Sequence, residues 1–363
     1  FVNSAGLFFI LHGVMHNAPG ALRVGTVYVL WPLVYMILVA GISTKLMLQN
    51  IIRVLAIATV AIGIYSFSYI FYSAGFLPDF LYFPINQGQA IGFYSGFIEY
   101  NLYNISSLVF LVPFFIAALI TWPKSIRFPI SRFWLWIALV LGIALVFLSG
   151  RRALMLITFF SPILTLFFRY FLPKNAKLAN RKVAIKTFLG LFVLTLSVFL
   201  CLNVIYDLRV ASIINTFLEG FDFKEDPSAI ARKTQFLALI EGWRESPLLG
   251  AGHGAAVAYS RSAKQPWAYE LVYVALLYQT GLIGFIIYTF AIIWIFWYSL
   301  KAIKSDVYLG YHLIPVLVGT ISFLIANATN PYLAKYDYMW VIFLPVAFVN
   351  YWLLRQTGID RLI

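Results

Sequence analysis

Long apolar runs alternate along the chain with short polar connections. A helix that crosses a bilayer needs about 20 predominantly apolar residues. The runs that approach or reach this length are Phe1–Met15, Leu22–Gly41, Ile51–Phe71, Leu102–Thr121, Phe133–Leu148, Ala153–Phe171, Thr187–Tyr206, Val307–Ala326 and Tyr338–Leu354. A further run, Trp267–Leu300, is too long for one straight span and is interrupted by Gly281 and Gly284. The pattern predicts an all-α membrane protein with about ten transmembrane helices in a single domain, residues 1–363.

The composition agrees with lipid as the main solvent of the chain. Apolar residues make up 62% of the sequence and charged residues only 11%, whereas ordinary soluble domains are about half apolar and a quarter charged. These values exclude a soluble enzyme, a disordered protein and a nucleic-acid-binding module, despite the net charge of +13. Cys201 is the single cysteine, so the chain can form no internal disulfide.

The basic residues divide between the two sides of the predicted membrane domain. Fifteen of the 26 Lys and Arg residues fall on one side, and the short loops on the other side hold only Arg23, Arg151, Arg152 and Lys335. Short cytoplasmic loops carry the excess of basic residues, so the first side is predicted to be cytoplasmic. The long loop 207–266 is external in this scheme, and its mixed charges favour a folded helical cap.

Two adjacent arginines are the strongest chemical signal. Arg151 and Arg152 stand between two predicted membrane helices that are joined by almost no loop, with Ser149 as the expected N-cap of the second helix. A helix N-terminus with guanidinium groups favours a phosphate or pyrophosphate. The alternative is that both side chains extend to lipid headgroups.

The external loop supplies further candidates. Arg232 and Lys233 open a predicted helix over residues 229–245, where they can add positive charge or form a solvated face with local ion pairs. His253 lies in the turn Gly-Ala-Gly-His-Gly and is a candidate substrate contact. Backbone amides in such a turn can bind an anion, although the turn can also simply reverse the chain.

Glu270 begins an apolar helix that contains no other charge. A carboxylate at the end of a membrane helix is costly unless it is paired or used. Partial burial would raise its pKa and suit a general base, and pairing with an arginine would lower the pKa and hold the group ionised. A capping carboxylate paired with Arg261 or Lys264 is the alternative. Tyr273, one turn further on the same face, is a candidate substrate contact.

Sequence motifs for other chemistries do not occur in the chain. There is no GxxxxGK[ST] loop, no HExxH motif, no CxxC pair and no closely spaced pair of aspartates, and the four histidines are scattered. We therefore predict no metal site and no cofactor.

The order of these motifs resembles the bacterial O-antigen polymerase and ligase superfamily, membrane glycosyltransferases of the GT-C architecture. The resemblance covers mainly residues 148–285. It rests on an external arginine at a helix start, an arginine-containing helix leading to Pro-Leu-Leu-Gly-Ala-Gly, and a polar residue eleven positions before the first glycine of a GxxG. Arg152 and Arg232 match the two family arginines. Ligases carry His-Asn where this chain has Glu270-Leu271, which favours a polymerase.

The resemblance implies a reaction at the periplasmic face of the bacterial cytoplasmic membrane. The donor would be a glycan on undecaprenyl pyrophosphate, and the acceptor a sugar hydroxyl of another lipid-linked repeat unit. Arg151, Arg152, Arg232 and Lys233 would bind the pyrophosphate, with Arg152, Arg232 and Glu270 as the catalytic residues. Membrane lipids and a chain-length regulator are the other expected partners.

Two alternatives remain open at this stage. A ligase would pass the finished glycan to lipid A core or to protein. A lipid-linked oligosaccharide flippase would make no bond, and it should carry charged residues distributed through its helices. The charged residues singled out above as site candidates all lie on one predicted side of the membrane, which favours an enzyme.

Overall fold

The computed structural model describes residues 2–73, 75–82, 90–94, 97–101, 105–123, 129–149, 151–173, 227–259 and 263–357, with scattered residues between 185 and 200. Helices dominate this part of the chain. Their bounds are α1 (Val2–Met15), α2 (Ala21–Gly41), α3 (Lys45–Ser73), α4 (Leu108–Thr121), α5 (Arg132–Leu148), α6 (Arg152–Arg169), α7 (Pro227–Glu245), α8 (Val272–Ser305), α9 (Val307–Ala326) and α10 (Trp340–Gln356).

The helices have the lengths and surfaces of membrane spans. In the described residues, α2, α3, α6, α8, α9 and α10 with its preceding turn are long and apolar enough to cross a membrane, and α1, α4 and α5 are shorter apolar helices. Large apolar side chains such as Ile37, Ile57 and Ile163 are exposed on the outer faces, where lipid would cover them. The prediction of a helical membrane protein is confirmed at this level. The predicted span Thr187–Tyr206 lies outside the described residues, apart from scattered positions.

One short β-hairpin stands beside the helices in the described residues. Strands β1 (Ala90–Tyr94) and β2 (Phe97–Asn101) pair antiparallel, with Ala90 opposite Asn101 and Tyr94 opposite Phe97. Both segments are rich in aromatic and β-branched residues, which favour strands. The sequence between them is Ser-Gly, a dipeptide typical of turns.

The helices pack into two compact units. Unit 1 contains α1, α2, α7, most of α8 and α10, and unit 2 contains α3 to α6, the hairpin and most of α9. The single domain predicted from the sequence stays a prediction.

Unit 2 is built around α4, whose residues are buried without exception from Leu108 to Thr121. A helix that is apolar on all sides is expected at the centre of a bundle. Gly142 of α5 and Gly319 of α9 face Val112 and Phe110 of α4, so neither position leaves room for a larger side chain. Small residues at such contacts let helix backbones approach closely, as is usual in membrane bundles.

Helix α6 lies parallel to α4 and is held to it at both ends. Arg151 Nη1 donates to Ser106 Oγ at 3.0 Å just before α4, and Arg169 Nη1 donates to the carbonyl of Ile120 at 3.4 Å near its end. Between them, small hydroxyl side chains on the inner face of α6 are buried and donate to carbonyls of their own helix: Thr158, Ser161 and Thr165. Other large residues of α6, such as Phe159, Ile163 and Phe167, are exposed on its outer face, as expected of a helix in contact with lipid.

In unit 1, α2 and α10 are also parallel neighbours. The ring of Trp31, midway along α2, stacks on that of Tyr336, just before α10, with centroids 5.1 Å apart, and Asn350 Nδ2 donates to the carbonyl of Val39 near the end of α2 at 3.4 Å. Two helices that run side by side in the same direction start at the same end of the unit.

Helix α8 is broken at Gly281, as its sequence predicted. The φ angle of Gly281 is 59° and its ψ angle is −169°, so the backbone leaves the helical region there. The amides of Leu282 and Ile283 would normally donate four residues back within the helix. They donate instead to the carbonyls of Pro247 at 2.9 Å and Leu248 at 3.1 Å.

The segment that contains Pro247 and Leu248 also donates hydrogen bonds to the carbonyls that the break leaves without helical partners. We name residues 247–252, with the sequence Pro-Leu-Leu-Gly-Ala-Gly, the PLLGAG loop. The Ala251 amide donates to the carbonyl of Tyr278 at 3.0 Å, and the Gly252 amide donates to that of Gln279 at 2.8 Å. Both halves of the broken ladder are therefore satisfied by the PLLGAG loop, as buried backbone groups require.

Two glycines make this close approach possible. Gly250 has a φ of 70°, and a Cβ atom at that position would lie 2.5 Å from the Gly281 nitrogen. A Cβ atom on Gly281 would collide with the carbonyl of Leu248. Both positions thus combine a left-handed backbone with contact between main chains, which only glycine accommodates without strain.

We expect Gly250→Ala to destabilise the folded protein by about 3 kcal/mol, because it adds overpacking to the cost of a left-handed residue. Gly75→Ala is the matched control: Gly75 has a φ of 78° but no neighbouring atom within 4 Å of a built Cβ. That variant should lose only about 1 kcal/mol. Thermal unfolding in detergent measures both, and equal losses would contradict the tight packing of the PLLGAG loop on α8.

Candidate functional site

An ion pair joins two of the residues singled out in the sequence. Arg232 Nε lies 3.3 Å from Glu270 Oε2, although the two residues are 38 positions apart. Arg232 sits in the second turn of α7, and Glu270 stands two residues before α8. Their side chains are 29% and 23% exposed, so the pair is partly shielded but reachable. Arg232 is thus one partner of Glu270. Arg261, one of the two partners predicted from the sequence, lies outside the described residues.

The backbone at Glu270 is held by a residue that the sequence analysis missed. The Oε1 atom of Gln235 accepts hydrogen bonds from the amides of Glu270 and Leu271, each at 3.0 Å. These amides precede α8, where the first N–H groups of a helix have no partner within the helix. Gln235 follows Arg232 by three positions in a helical segment, so its place on the same face of α7 could have been read from the sequence.

An apolar layer supports this polar contact from below. Leu239 of α7 packs with Tyr269, Ala275 and Tyr278, all of which are buried. The hydroxyl of Tyr269 accepts a hydrogen bond from the Val257 amide at 2.7 Å, and burial raises the pKa of this tyrosine to about 12. Tyr269 is therefore neutral over the physiological pH range, and it packs between α7 and the start of α8.

Two other predicted residues take different places. The hydroxyl of Tyr273 donates to the carbonyl of Leu324, so its polar group is bound internally. Lys233 is exposed on α7 and makes no hydrogen bond or ion pair within the described part of the chain. Neither residue is brought onto the Arg232–Glu270 pair by a contact in the structure.

The arginine pair in unit 2 stands at the start of α6, as predicted. Arg151 occupies the N-cap position and Arg152 is the first helical residue. Ser149 is not the N-cap expected from the sequence but follows the last residue of α5, where its hydroxyl donates to Val146 and accepts from the Arg151 amide at 3.4 Å. Both arginine side chains are partly buried. The positive end of the helix dipole adds to their charge and favours an anion.

His253 has an internal role in place of the predicted substrate contact. Its ring is fully buried and stacks on Tyr28 with centroids 3.8 Å apart. The Nδ1 atom donates to Gln279 Oε1 at 3.4 Å, and Nε2 accepts from the hydroxyl of Tyr288 at 3.0 Å. Both ring nitrogens are thus occupied by groups of unit 1.

The turn around His253 does not form an anion-binding nest. The His253 amide donates to the carbonyl of Phe9 at 2.9 Å, and the amides of Ala251 and Gly252 donate to α8. The turn therefore fastens the loop to α1 and α8, which agrees with the alternative of a structural turn.

The described residues contain no group of three or more His, Cys, Asp or Glu side chains that could hold a metal ion. The chemistry available here consists of two cationic positions, Arg151–Arg152 in unit 2 and Arg232 in unit 1, with one carboxylate beside the second. Guanidinium groups bind phosphate oxygens in bidentate geometry, and a partly shielded carboxylate can accept a proton from a hydroxyl.

Comparison with protein-family models, with curated proteins and with solved structures finds no significant match to this chain.

We expect the stability of the protein to fall as the pH is lowered, with His253 as one cause. Burial lowers the pKa of His253 from 6.5 to about 3. Between these values the unfolded chain binds a proton that the folded state does not, so stability is lost at up to about 1.4 kcal/mol per pH unit. His253→Gln should lower stability at neutral pH and flatten this dependence, whereas the exposed His16→Gln should leave it unchanged. Thermal unfolding from about pH 7.5 to about pH 5 measures the slopes, and identical slopes in all three proteins would contradict the assignment.

Proposed function

We propose that the protein is a surface-polysaccharide polymerase of the O-antigen type. It transfers a glycan from undecaprenyl pyrophosphate to a sugar hydroxyl of a second lipid-linked repeat unit. The single observation that carries the proposal is the ion pair between Arg232 and Glu270. It joins two residues to which the family resemblance assigns pyrophosphate binding and catalysis, at positions far apart in sequence.

The residues divide the chemistry between them. The acceptor hydroxyl oxygen attacks the anomeric carbon of the donor sugar, and the bond from that carbon to the pyrophosphate oxygen breaks. The hydroxyl proton passes to the carboxylate of Glu270, and the pyrophosphate leaves with the bonding electron pair. We assign the charge that develops on the leaving group to Arg232 and, on the family resemblance, to Arg152 with Arg151 beside it. Such stabilisation is the largest effect a catalytic centre of this kind can offer.

The reaction is proposed for the periplasmic face of the bacterial cytoplasmic membrane. The start of α8 lies near the start of α2, since Trp267, five residues before α8, contacts Gly20. Five apolar helices, α2 to α6, precede α8, so a sixth crossing is needed for α8 to begin at the same end as α2. The predicted span Thr187–Tyr206, which lies outside the described residues apart from scattered positions, is our candidate for this crossing and would bring the total to ten. The basic loops then favour cytoplasmic placement of the opposite end.

We expect Arg152→Ala and Arg232→Ala each to reduce polymer formation by at least about 100-fold, because each removes a charge-assisted contact to the leaving pyrophosphate. Arg152→Lys should restore activity only in part, since lysine keeps the charge and loses the planar fork. Arg244→Ala removes an exposed arginine from the last turn of α7 and serves as the control. Purified protein in liposomes is given one synthetic lipid-linked repeat unit, and the product ladder is quantified. Normal ladders from both alanine variants would contradict a pyrophosphate site.

Glu270→Gln should keep the fold and donor binding but stop chain growth. The amide is nearly isosteric and still hydrogen-bonds, but it accepts no proton at neutral pH. Exposed Glu241 on α7 provides the control variant, Glu241→Gln. Melting temperature and ladder formation are measured on the same preparation. A folded Glu270→Gln variant with wild-type ladders would remove the catalytic role, and activity that merely follows the folded fraction would assign Glu270 a structural one.

A further inference from the structure

We infer that Gln235 is a positioning residue, which fixes the backbone of Glu270 and so sets where the carboxylate stands beside Arg232. This inference rests on the proposed function, because it assigns Gln235 a part in that reaction. It is carried by the two 3.0 Å hydrogen bonds that the Gln235 oxygen accepts from the amides of Glu270 and Leu271.

The start of α8 has no cap of its own. A helix is usually capped by Ser, Thr, Asp or Asn at the residue before its first turn. Here that residue is Leu271, whose carbonyl accepts the first helical bond from Ala275 at 2.9 Å but whose side chain offers no acceptor. The cap comes from α7, 35 positions earlier than Glu270 in the chain.

Helix α7 therefore fixes Glu270 in two ways. Arg232 contacts the carboxylate, and Gln235, three positions further along the same helix, binds the main chain. Because residues three apart lie on one face of a helix, a single docked surface of α7 sets both contacts. The Gln235 side chain is only 2% exposed, so it acts through Glu270 and does not itself touch substrate.

A carboxylate that accepts a proton during bond formation must be held within a fraction of an ångström. Displacement of a reacting group by about 1 Å can cost about 100-fold in rate. Without the Gln235 oxygen, two amides lose their acceptor and the segment before α8 is free to shift. The expected result is slow chain growth with intact donor binding, since Arg232 and Arg152 are unchanged.

The test compares Gln235→Met, which keeps the side-chain length without an acceptor, with Gln235→Asn, which withdraws the oxygen by one methylene. Thr234→Val is the matched control, because within the described residues the Thr234 hydroxyl donates to the carbonyl of Ile230 in its own helix and to no other group. Amide hydrogen exchange at Glu270 and Leu271 should speed up in both Gln235 variants and not in the control. Unchanged exchange in the folded variants would overturn the inference, whatever the protein's activity.

Chain growth decides the positioning role. Gln235→Met should lower the turnover rate by about 100-fold while leaving donor affinity unchanged. If Gln235 acts through Glu270, adding Gln235→Met to Glu270→Asp, which keeps a carboxylate withdrawn by one methylene, should slow chain growth by no more than about twofold relative to Glu270→Asp alone. A further loss of about tenfold in the double variant would show that Gln235 acts elsewhere and would overturn the inference. If the wild-type protein formed no ladder, the proposed function would be contradicted. Amide exchange would then still test whether Gln235 binds the amides of Glu270 and Leu271.

Discussion

The exchange of backbone hydrogen bonds between the PLLGAG loop and the broken helix α8 is the constraint on which unit 1 depends. Two amides and two carbonyls that would pair within an unbroken helix pair instead with residues 247–252. Unpaired, these groups would be costly in an apolar setting. The loop and the break therefore require each other, and together they fix where α7 ends and where the first turns of α8 lie.

This constraint explains why the candidate site forms where it does. α7 leads directly into the PLLGAG loop, and the loop is fixed on Gly281, so α7 is held beside the first half of α8. Buried residues such as Leu239 and Tyr278 fill the space between the two helices. The polar contacts of Arg232 and Gln235 then form at the open end of this packed layer, where the side chains stay partly accessible. The apolar contacts hold α7 rigidly against α8, and the polar side chains at the edge of these contacts are the ones available for chemistry.

The sequence predicts the parts that depend on local pattern. The period and length of the apolar runs predict the helices. Gly281 predicts the break in α8, and the adjacent arginines predict the start of α6. Contacts between distant segments leave no comparable signal. The cap that Gln235 provides, and the use of both ring nitrogens of His253 inside unit 1, depend on packing between elements. The hairpin at residues 90–101 was missed because hydropathy alone does not separate short strands from interfacial helices.

The order in which the helices enter the two units has a consequence for biosynthesis. Unit 1 takes its helices from the beginning, the later middle and the end of the chain, and unit 2 takes most of α9 from a late position. Gly319 of α9 packs on Phe110 of α4, and Tyr336, just before α10, stacks on Trp31 of α2. Membrane helices can insert one by one and associate afterwards. Here the central helix α4 stays without one of its covering partners until α9 emerges from the ribosome, so both cores close only during the last stage of synthesis.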